Sequence, residues 1–245
     1  MTIVTTMATA ITTITAMTTT IDPASLYRLM AWFSPAYPIG AFSYSHGIEY
    51  AVEAGFVKTA ADLSDWIGEI LLHGAGHVDA VLLKAAYESA GDPAALDGLA
   101  DLAAAWRGTA ETALESGQQG GSFLLVTRAA WGHPDLDSFA ARRGEATVAL
   151  SIAIGLAAAA HRLDLKAVLA AYLHAFGANL VSAAVRLIPL GQTDGQRALA
   201  ALMPVTEAAV TKALATPLEG CGTAVPMVDL CSMQHETQYT RLFRS

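Results

Sequence analysis

The sequence predicts an all-α protein, folded as a compact bundle of roughly eight to ten helices. Alanine supplies 50 of the 245 residues, and alanine and leucine are among the strongest helix formers. Apolar residues recur every three or four positions, whereas the strict alternation typical of half-buried strands is hard to find. No repeat of about twenty to fifty residues is evident, which argues against a solenoid.

The first clear helix is predicted over residues 59–73, where apolar residues recur at a spacing that puts them on one face. Two histidines follow, His73 and His77, and their spacing of four could place both on one helical face as metal ligands. Gly74 and Gly76 lie between them and weaken a helix, so we expect a helix break here instead. The apolar stripe of the helix comprises Leu63, Trp66, Ile67, Ile70 and Leu71.

A second helix is predicted to begin at Asp92-Pro93, because proline suits a first helical turn. Its apolar stripe runs from Leu96 to Ala113. Further helices are predicted at about 118–132, 135–143, 145–162, 164–188 and 194–215, separated by His133-Pro134, Asp164 and the turn at 189–191. After Pro217 the helical periodicity of the apolar residues is lost, and an irregular segment is predicted.

The composition argues against a nucleic-acid-binding protein and indicates a chain with extensive apolar contacts. The chain has 14 Lys and Arg against 22 Asp and Glu, a formal net charge of −8, which is not the basic balance of a nucleic-acid binder. Apolar residues make up 53% and charged residues only 15%, too little charge to cover an ordinary monomer surface. Either part of the chain enters lipid or much of its surface contacts protein, and the second interpretation favours a homodimer.

The lipid alternative, an integral membrane transporter, rests on two uncharged runs at residues 146–160 and 167–185. The second run reaches the length of a spanning helix. It contains His174, Asn179 and Ser182, however, and neither run has the flanking Lys and Arg asymmetry or the aromatic belts of a span. Buried bundle helices show similar apolar runs, so we expect no membrane insertion.

No catalytic or cofactor-binding motif is evident in the sequence. It contains no P-loop, no dinucleotide fingerprint and no two-histidine helix motif with an intervening glutamate. Cys221 and Cys231 are too few for a disulfide framework or a zinc site, which indicates a reduced, cytoplasmic protein. We therefore expect a protein that is not an enzyme and binds no cofactor or metal. The alternative is a histidine-based metal-binding protein or a metallohydrolase.

The chain is expected to have three parts. Residues 1–20 contain ten threonines and no charge, without the basic residues of a targeting signal, so residues 1–22 are predicted to be a disordered leader. Residues 23–234 are predicted to form one all-α domain. Residues 235–245 are predicted to be a C-terminal interaction tail, poorly ordered alone and ordered by a partner.

Two segments differ from the helical background. In residues 34–49, prolines and a glycine force a rigid, extended connection, and small polar and aromatic side chains suit packing against a partner. Residues 235–245 carry Tyr239, Phe243 and two arginines, residue types enriched among interface anchors. Both segments are therefore predicted to bind partners.

A third distinctive segment reads RLIPLGQTDGQ at 186–196, beside SPAYPIGAFSYSHGIE at 34–49 and HETQYTRLFRS at 235–245. In these three motifs, in this order, the chain resembles the UreF family of urease accessory proteins. With the helical stretches between them, the resemblance covers residues 26–245 and leaves the threonine-rich leader outside it.

The resemblance implies an all-α, cytoplasmic and commonly dimeric protein without enzymatic activity. Such proteins help to install nickel in apo-urease by bridging the accessory protein UreD, also called UreH, and the GTPase UreG, and they modulate its nucleotide cycle. The residues expected to bind partners are Pro38, Gly40, Phe42, Ser43, Tyr44, His46, Glu49, His235, Glu236, Tyr239, Arg241, Phe243 and Arg244.

Overall fold

Helices form almost all of the regular structure in residues 21–245, the part of the chain that the computed structural model describes. Within that part there is no strand, which confirms the all-α fold class. Two short 3₁₀ turns occur at Ala41–Ser43 and Leu218–Gly220. The α-helices are α1 (Pro23–Trp32), α2 (Ile48–Glu53), α3 (Ala60–His73), α4 (Ala75–Glu88), α5 (Pro93–Ala105), α6 (Ala110–Ala130), α7 (Pro134–Arg143), α8 (Leu150–Ala160), α9 (Leu165–Leu187), α10 (Gln192–Ala201), α11 (Met203–Ala215) and α12 (Pro226–His235).

Polar side chains determine where several helices begin, because they accept hydrogen bonds from the free backbone N–H groups of the first turn. Asp92 caps α5 and Asp164 caps α9 in this way. Thr59 and Asp62 form a reciprocal capping box at the start of α3. The helix starts therefore follow from the local sequence.

The predicted leader, residues 1–22, lies outside the described residues except for its last two. Asp22 caps α1 by accepting hydrogen bonds from the backbone of Ala24 and Ser25, both at 3.0 Å. Ile21 packs against the hydrophobic core. The described fold thus includes two residues that the sequence assigns to the leader.

The core is centred on α4, α8 and α9. α4 is buried continuously from Gly76 to Leu83, and α8 from Ser151 to Ala158. These two helices approach closely because Gly155 has no side chain, and a Cβ there would lie 2.5 Å from the carbonyl oxygen of Leu83. Around them, α6 packs against α8, α11 packs against α3, α4 and α9, and α12 packs against α2 and α6.

The helix boundaries differ from the predicted ones at several places. The helix start predicted at about 118 is absent, because α6 runs through it from Ala110 to Ala130, and the helix predicted to begin at 145 begins at Leu150. The helix predicted to run from Asp92 to Ala113 is divided into α5 and α6, because Arg107 turns inward to Asp79 and Thr109 caps the new helix. The helix predicted at 194–215 is divided at Leu202, where α10 ends and α11 begins with Pro204 in its first turn.

The helix break predicted between His73 and His77 is confirmed. Gly74 lies between the end of α3 and the start of α4. By contrast, α12 lies in a segment that shows no helical periodicity, because the helix is short and only four of its residues are buried, two of them polar. These are Val228, Cys231, Ser232 and His235.

Two helical stretches, Leu165–Leu187 and Gln192–Ala215, are long and apolar enough to cross a membrane by length and composition alone. The first stretch is α9, and 50% of its most apolar window is buried inside the fold. It packs against α2, α3, α4, α10 and α11. This packing accounts for the apolar run that the sequence shows there.

Candidate partner-binding surface

The three distinctive sequence segments, 34–49, 186–196 and 235–245, meet at Arg186. Its guanidinium carbon lies 3.7 Å from the ring centre of Phe42 and 4.3 Å from that of Phe243. A guanidinium over an aromatic face gains cation–π attraction. The same group donates hydrogen bonds to the carbonyl oxygens of Ser182 and Phe42, at 3.1 and 3.0 Å. Partial burial lowers the pKa of Arg186, but arginine remains charged at neutral pH.

Glu49, in α2, binds the tail mainly through the tail's backbone. The N–H groups of Leu242 and Phe243 donate to its two carboxylate oxygens, at 2.6 and 2.9 Å. Hydrogen bonds to an ionised acceptor are stronger than neutral ones. Because these bonds use backbone groups, they leave the Leu242 side chain free, and it is exposed to solvent.

His235, the last residue of α12, is fully buried between two carboxylates. Its Nε2 atom lies 3.0 Å from Glu49, and its Nδ1 atom lies 2.8 Å from Glu111 in α6. Both contacts are hydrogen bonds when each ring nitrogen carries a proton. Arg241 is 3.2 Å from Glu111. With the ring protonated, the two carboxylates and two cations of this His235 cluster sum to zero charge.

Within the His235 cluster, burial and the neighbouring positive charges act in opposite directions on the pKa of Glu111. Burial raises the pKa of Glu111 above its ordinary value, while the hydrogen bond and positive charge of His235, together with Arg241, lower it. The burial effect is the larger one. The effects of His235 and Arg241 thus offset only part of the effect of burial on the pKa of Glu111.

The end of the tail runs beside the segment that leads into α2. The backbone N–H of Arg244 donates to the carbonyl oxygen of Ser43 at 2.8 Å, and that of Ser45 donates to Ser245 at 2.7 Å. The Ser245 hydroxyl donates to Glu115 at 3.2 Å. The tail is thus attached along its length to residues 43–49 and to α6.

The tail is therefore packed against the bundle in the isolated chain, whereas the sequence predicts a tail that is poorly ordered without a partner. The difference arises because three buried carboxylates, Glu49, Glu111 and Glu115, accept hydrogen bonds from tail groups within the same chain. Tertiary contacts of this kind offset the entropy of ordering that would leave an unattached terminus frayed.

The residues predicted to bind partners divide into two groups in the structure. The buried group is Tyr44, His46, Glu49, His235 and Phe243, with Ser43 half-buried. Their contacts lie within the chain, so they support the surface rather than form it. The exposed group is Pro38, Gly40, Phe42, Glu236, Tyr239, Arg241 and Arg244.

The chain is similar to known proteins over most of its length. A family model described as UreF matches residues 57–203. The chain is 53% identical over 232 residues to the urease accessory protein UreF of Granulibacter bethesdensis, covering 94% of this chain and 98% of that protein. It is also 53% identical over 226 residues to UreF of Rhodopseudomonas palustris strain HaA2, covering 91% and 94%.

The chain belongs to the UreF family of urease accessory proteins. The resemblance found in three sequence segments is therefore confirmed. A further UreF relative, from a Bradyrhizobium strain, is 48% identical and spans 95% of this chain and 97% of its own length.

Three residues that hold these segments together are not among those predicted from the sequence: Glu111, Glu115 and Arg186. A signal for the two glutamates exists, because they lie four residues apart in α6 and hence on one helical face. Both are buried, at 6% and 7% exposure. The burial of acidic residues is unusual unless they are paired, but sequence spacing alone does not reveal it.

Within residues 21–245, no group of three or more His, Cys, Asp or Glu residues is placed so that it could hold a metal ion. His73 lies 3.3 Å from the ammonium group of Lys212. His77 is buried in α4, and burial lowers its pKa.

Large apolar side chains remain exposed around the tail of this UreF-family chain. Phe42 is 66% exposed, Leu242 is 62% exposed, and Tyr239 is completely exposed. Together with Arg244 these residues are called the tail surface below. The preceding helix, α12, also exposes Met227, Leu230 and Met233 at intervals of three residues.

Proposed function

We propose that this chain is a non-catalytic scaffold in urease maturation, acting in the cytoplasm. It bridges the accessory protein UreD, or UreH, and the GTPase UreG, and through that complex it takes part in nickel insertion into apo-urease. The names of its relatives support a role in urease maturation. The scaffold takes no cofactor of its own.

The observation that carries this proposal is the construction of the tail surface. Buried carboxylates bind the backbone and cations of the tail, while Phe42, Tyr239 and Leu242 project into solvent. Exposed aromatic and arginine side chains on a fixed backbone are characteristic of interface hot spots. The proposed role of the tail surface is to bind a partner of the maturation complex.

In this proposal GTP hydrolysis is the activity of UreG. The absence of a P-loop from this sequence supports that assignment, because the P-loop is the motif that holds nucleotide phosphates. This chain modulates the GTP cycle through protein contacts. A UreF-family dimer would present two tail surfaces related by symmetry, and the low charged fraction of 15% is consistent with such self-association.

Co-purification tests the proposal, with the tagged full chain expressed beside UreD, UreG and apo-urease. We expect a double variant, Tyr239→Ala with Leu242→Asp, to lose UreD or UreG from the purified complex and to abolish urease activation. Both side chains are exposed, so helicity and melting temperature should stay close to those of the unaltered chain.

The matched control is Met203→Asp, at a side chain of similar exposure on α11. This variant should co-purify normally. Normal assembly and activation by the double variant would contradict the role of the tail surface. Equilibrium dialysis adds a second measurement, because a scaffold without a metal centre should retain no nickel at sub-micromolar affinity when isolated.

A further inference from the structure

Arg186, in the last turn of α9, forms no ion pair with a carboxylate among residues 21–245. Its guanidinium contacts two carbonyl oxygens and two aromatic rings, all of them uncharged. Residues 1–20 contain no acidic side chain. Burial lowers the pKa of Arg186, and no neighbouring carboxylate acts to raise it. The positive charge of Arg186 is therefore not compensated by the described part of the chain.

Carboxylates on the elements beside α9 already have other partners. In α10, which packs against α9, Asp194 pairs with Arg197 at 2.8 Å and accepts from the backbone of Gly191. In α2, which also packs against α9, Glu49 contacts His235 and accepts two backbone hydrogen bonds from the tail. If either carboxylate moved to Arg186, these bonds would be lost.

The fold holds the guanidinium of Arg186 in one position. The rings of Phe42 and Phe243 lie against it, and Phe243 is itself buried. Nε donates to the carbonyl oxygen of Ser182, and Nη2 donates to that of Phe42. Because these contacts already restrict the side chain, a group that binds to it causes little further loss of conformational entropy.

The remaining terminal nitrogen of Arg186, Nη1, makes no hydrogen bond within residues 21–245. Unlike the Nε atoms of Arg28, Arg107 and Arg143, it is not an enclosed, unpaired donor, so it is open to solvent. A guanidinium presents its N–H groups in a planar fork that matches the geometry of a carboxylate. Nη1 is thus placed to donate to a carboxylate that approaches from outside the chain.

The surroundings of Arg186 are apolar and positively charged. Phe42 is 66% exposed. The exposed residue Arg244 donates to the neutral amide oxygen of Gln118 at 3.2 Å and, within the described residues, forms no ion pair. Two positive charges without internal counter-ions therefore lie at or beside the tail surface, in a chain whose net charge is −8. Charge complementarity favours a partner with acidic groups at this place.

We propose that Arg186 binds an aspartate or glutamate side chain of the protein that docks on the tail surface. The partner's carboxylate accepts a hydrogen bond from Nη1, and the exposed ring of Phe42 packs against apolar residues around that carboxylate. Exclusion of water by this packing strengthens the ion pair. The inference rests on the proposed function and adds the chemistry of the partner, which is an acidic side chain within an apolar patch.

Two variants separate the charge of Arg186 from its shape. Arg186→Gln keeps a planar amide and removes the charge, whereas Arg186→Lys keeps the charge and removes the planar fork. The matched control is Arg197→Gln, because Arg197 is exposed and already paired with Asp194. Calorimetric titration measures the affinity of each purified full chain for UreD and for UreG, and the melting temperature of each chain reports folding.

Arg186→Gln should weaken the binding of one partner by about 30-fold or more, as expected when a docked carboxylate loses its cation. Arg186→Lys should have an intermediate affinity, and Arg197→Gln should bind like the unaltered chain. Unchanged affinity of Arg186→Gln would overturn the carboxylate contact and leave the scaffold role intact. Failure of the unaltered chain to bind either partner would instead contradict both the scaffold role and this inference.

Substitutions on the partner distinguish an ion pair from a purely structural role of Arg186. Each exposed Asp of the partner is changed to Asn and each exposed Glu to Gln, and every variant is titrated with the unaltered chain, with Arg186→Gln and with Arg186→Lys. One partner carboxylate should be coupled to Arg186, so that its neutralisation weakens binding to the unaltered chain but has little further effect with Arg186→Gln.

A structural role of Arg186 would give a different result, because the loss of support would add to the effect of every partner substitution. The Arg186→Lys series keeps the charge inside the fold, and it provides the same comparison if Arg186→Gln does not fold. The absence of any coupled carboxylate in both series would overturn the proposal.

Discussion

His235 separates the carboxylates of Glu49 and Glu111 inside the fold. Each carboxylate is mostly buried, and so neither can recover its hydration if the imidazole is removed. Among the described residues, Arg241 pairs with Glu111 and not with Glu49. The attachment of the tail to the bundle therefore depends strongly on this one side chain.

We expect His235→Ala to lower the free energy of unfolding by about 3 kcal/mol or more, because removal of one partner leaves buried charge uncompensated. Urea denaturation measures the change. The neighbouring exposed residue supplies the control, and Glu236→Ala should stay within about 0.5 kcal/mol of the unaltered chain. An equally small effect of both substitutions would mean that the His235 cluster does not hold the tail.

The two cysteines should differ in reactivity. Cys231 is buried in α12, and burial raises its pKa to about 11, while Cys221 is half-buried. Because the thiolate is the reactive form, a thiol reagent at about pH 8 should modify Cys221 first in the native chain and modify Cys231 only after denaturation. Rapid modification of both native thiols would contradict the burial of Cys231.

The same thiol makes stability depend on pH. The pKa of Cys231 is higher in the folded chain, about 11, than the ordinary value of 9.0. The unfolded chain therefore loses this proton first, and the free energy of unfolding should decrease as the pH rises from 9 towards 11. Cys231→Ala should remove this part of the slope in denaturation curves measured across that range.

At the residue scale, the sequence draws attention to particular residues but does not predict which contacts their side chains make. Glu49 and His235 stand out from the sequence as partner-binding residues, but both are buried within the chain. Their carboxylate partner Glu111 lies 124 positions before His235. Local spacing carries no information about a contact across that distance, so the His235 cluster could not be predicted.

Among the helices, α6 provides a direct test of packing because two adjacent glycines have different surroundings. A Cβ at Gly120 would lie 2.0 Å from the carbonyl oxygen of Val148, at the approach to α8. A Cβ at Gly121 would have no atom within 4 Å. The two positions share the same helix and nearly the same sequence context.

Gly120→Ala should destabilise the chain by about 1–3 kcal/mol, because the backbone at 148–150, which leads into α8, must move to admit the methyl group. Gly121→Ala should stabilise it by up to about 1 kcal/mol through higher helix propensity. Thermal unfolding of the two variants provides the comparison. A stabilising Gly120→Ala would show that α6 and the chain before α8 are not in close contact.

At the element scale, helix type and most helix positions could be predicted from the sequence, because apolar periodicity and capping residues are local signals. The break at 106–109 was not predictable, since it depends on Arg107 reaching Asp79 across the fold. The helix α12 was missed for a related reason. Two of its buried residues, Ser232 and His235, are polar and are buried through partners elsewhere in the chain.

For the whole molecule, composition and exposure lead to the same expectation. The chain has 53% apolar and 15% charged residues. Large apolar side chains such as Tyr27, Met30 and Leu125 are each more than 60% exposed. Apolar surface of this kind commonly lies in an interface between subunits.

We therefore expect the purified chain to self-associate into a dimer. Light scattering at about ten micromolar and above measures the mass directly. Dimer mass that persists at high salt would agree with an apolar interface, because salt screens charge contacts but does not weaken apolar burial. A monodisperse monomer would show that the exposed apolar residues serve other partners.

The three segments that meet at Arg186 are far apart in the sequence, and this affects when during folding the tail surface can form. Arg186 lies 144 positions after Phe42, and Glu49 lies 194 positions before Phe243. Contacts between such distant positions form late in folding, because the entropy of closing the intervening chain must be overcome first. The tail surface therefore exists only on a chain that has completed its folding. A partner that binds this surface, as we propose, would therefore also discriminate against incompletely folded copies.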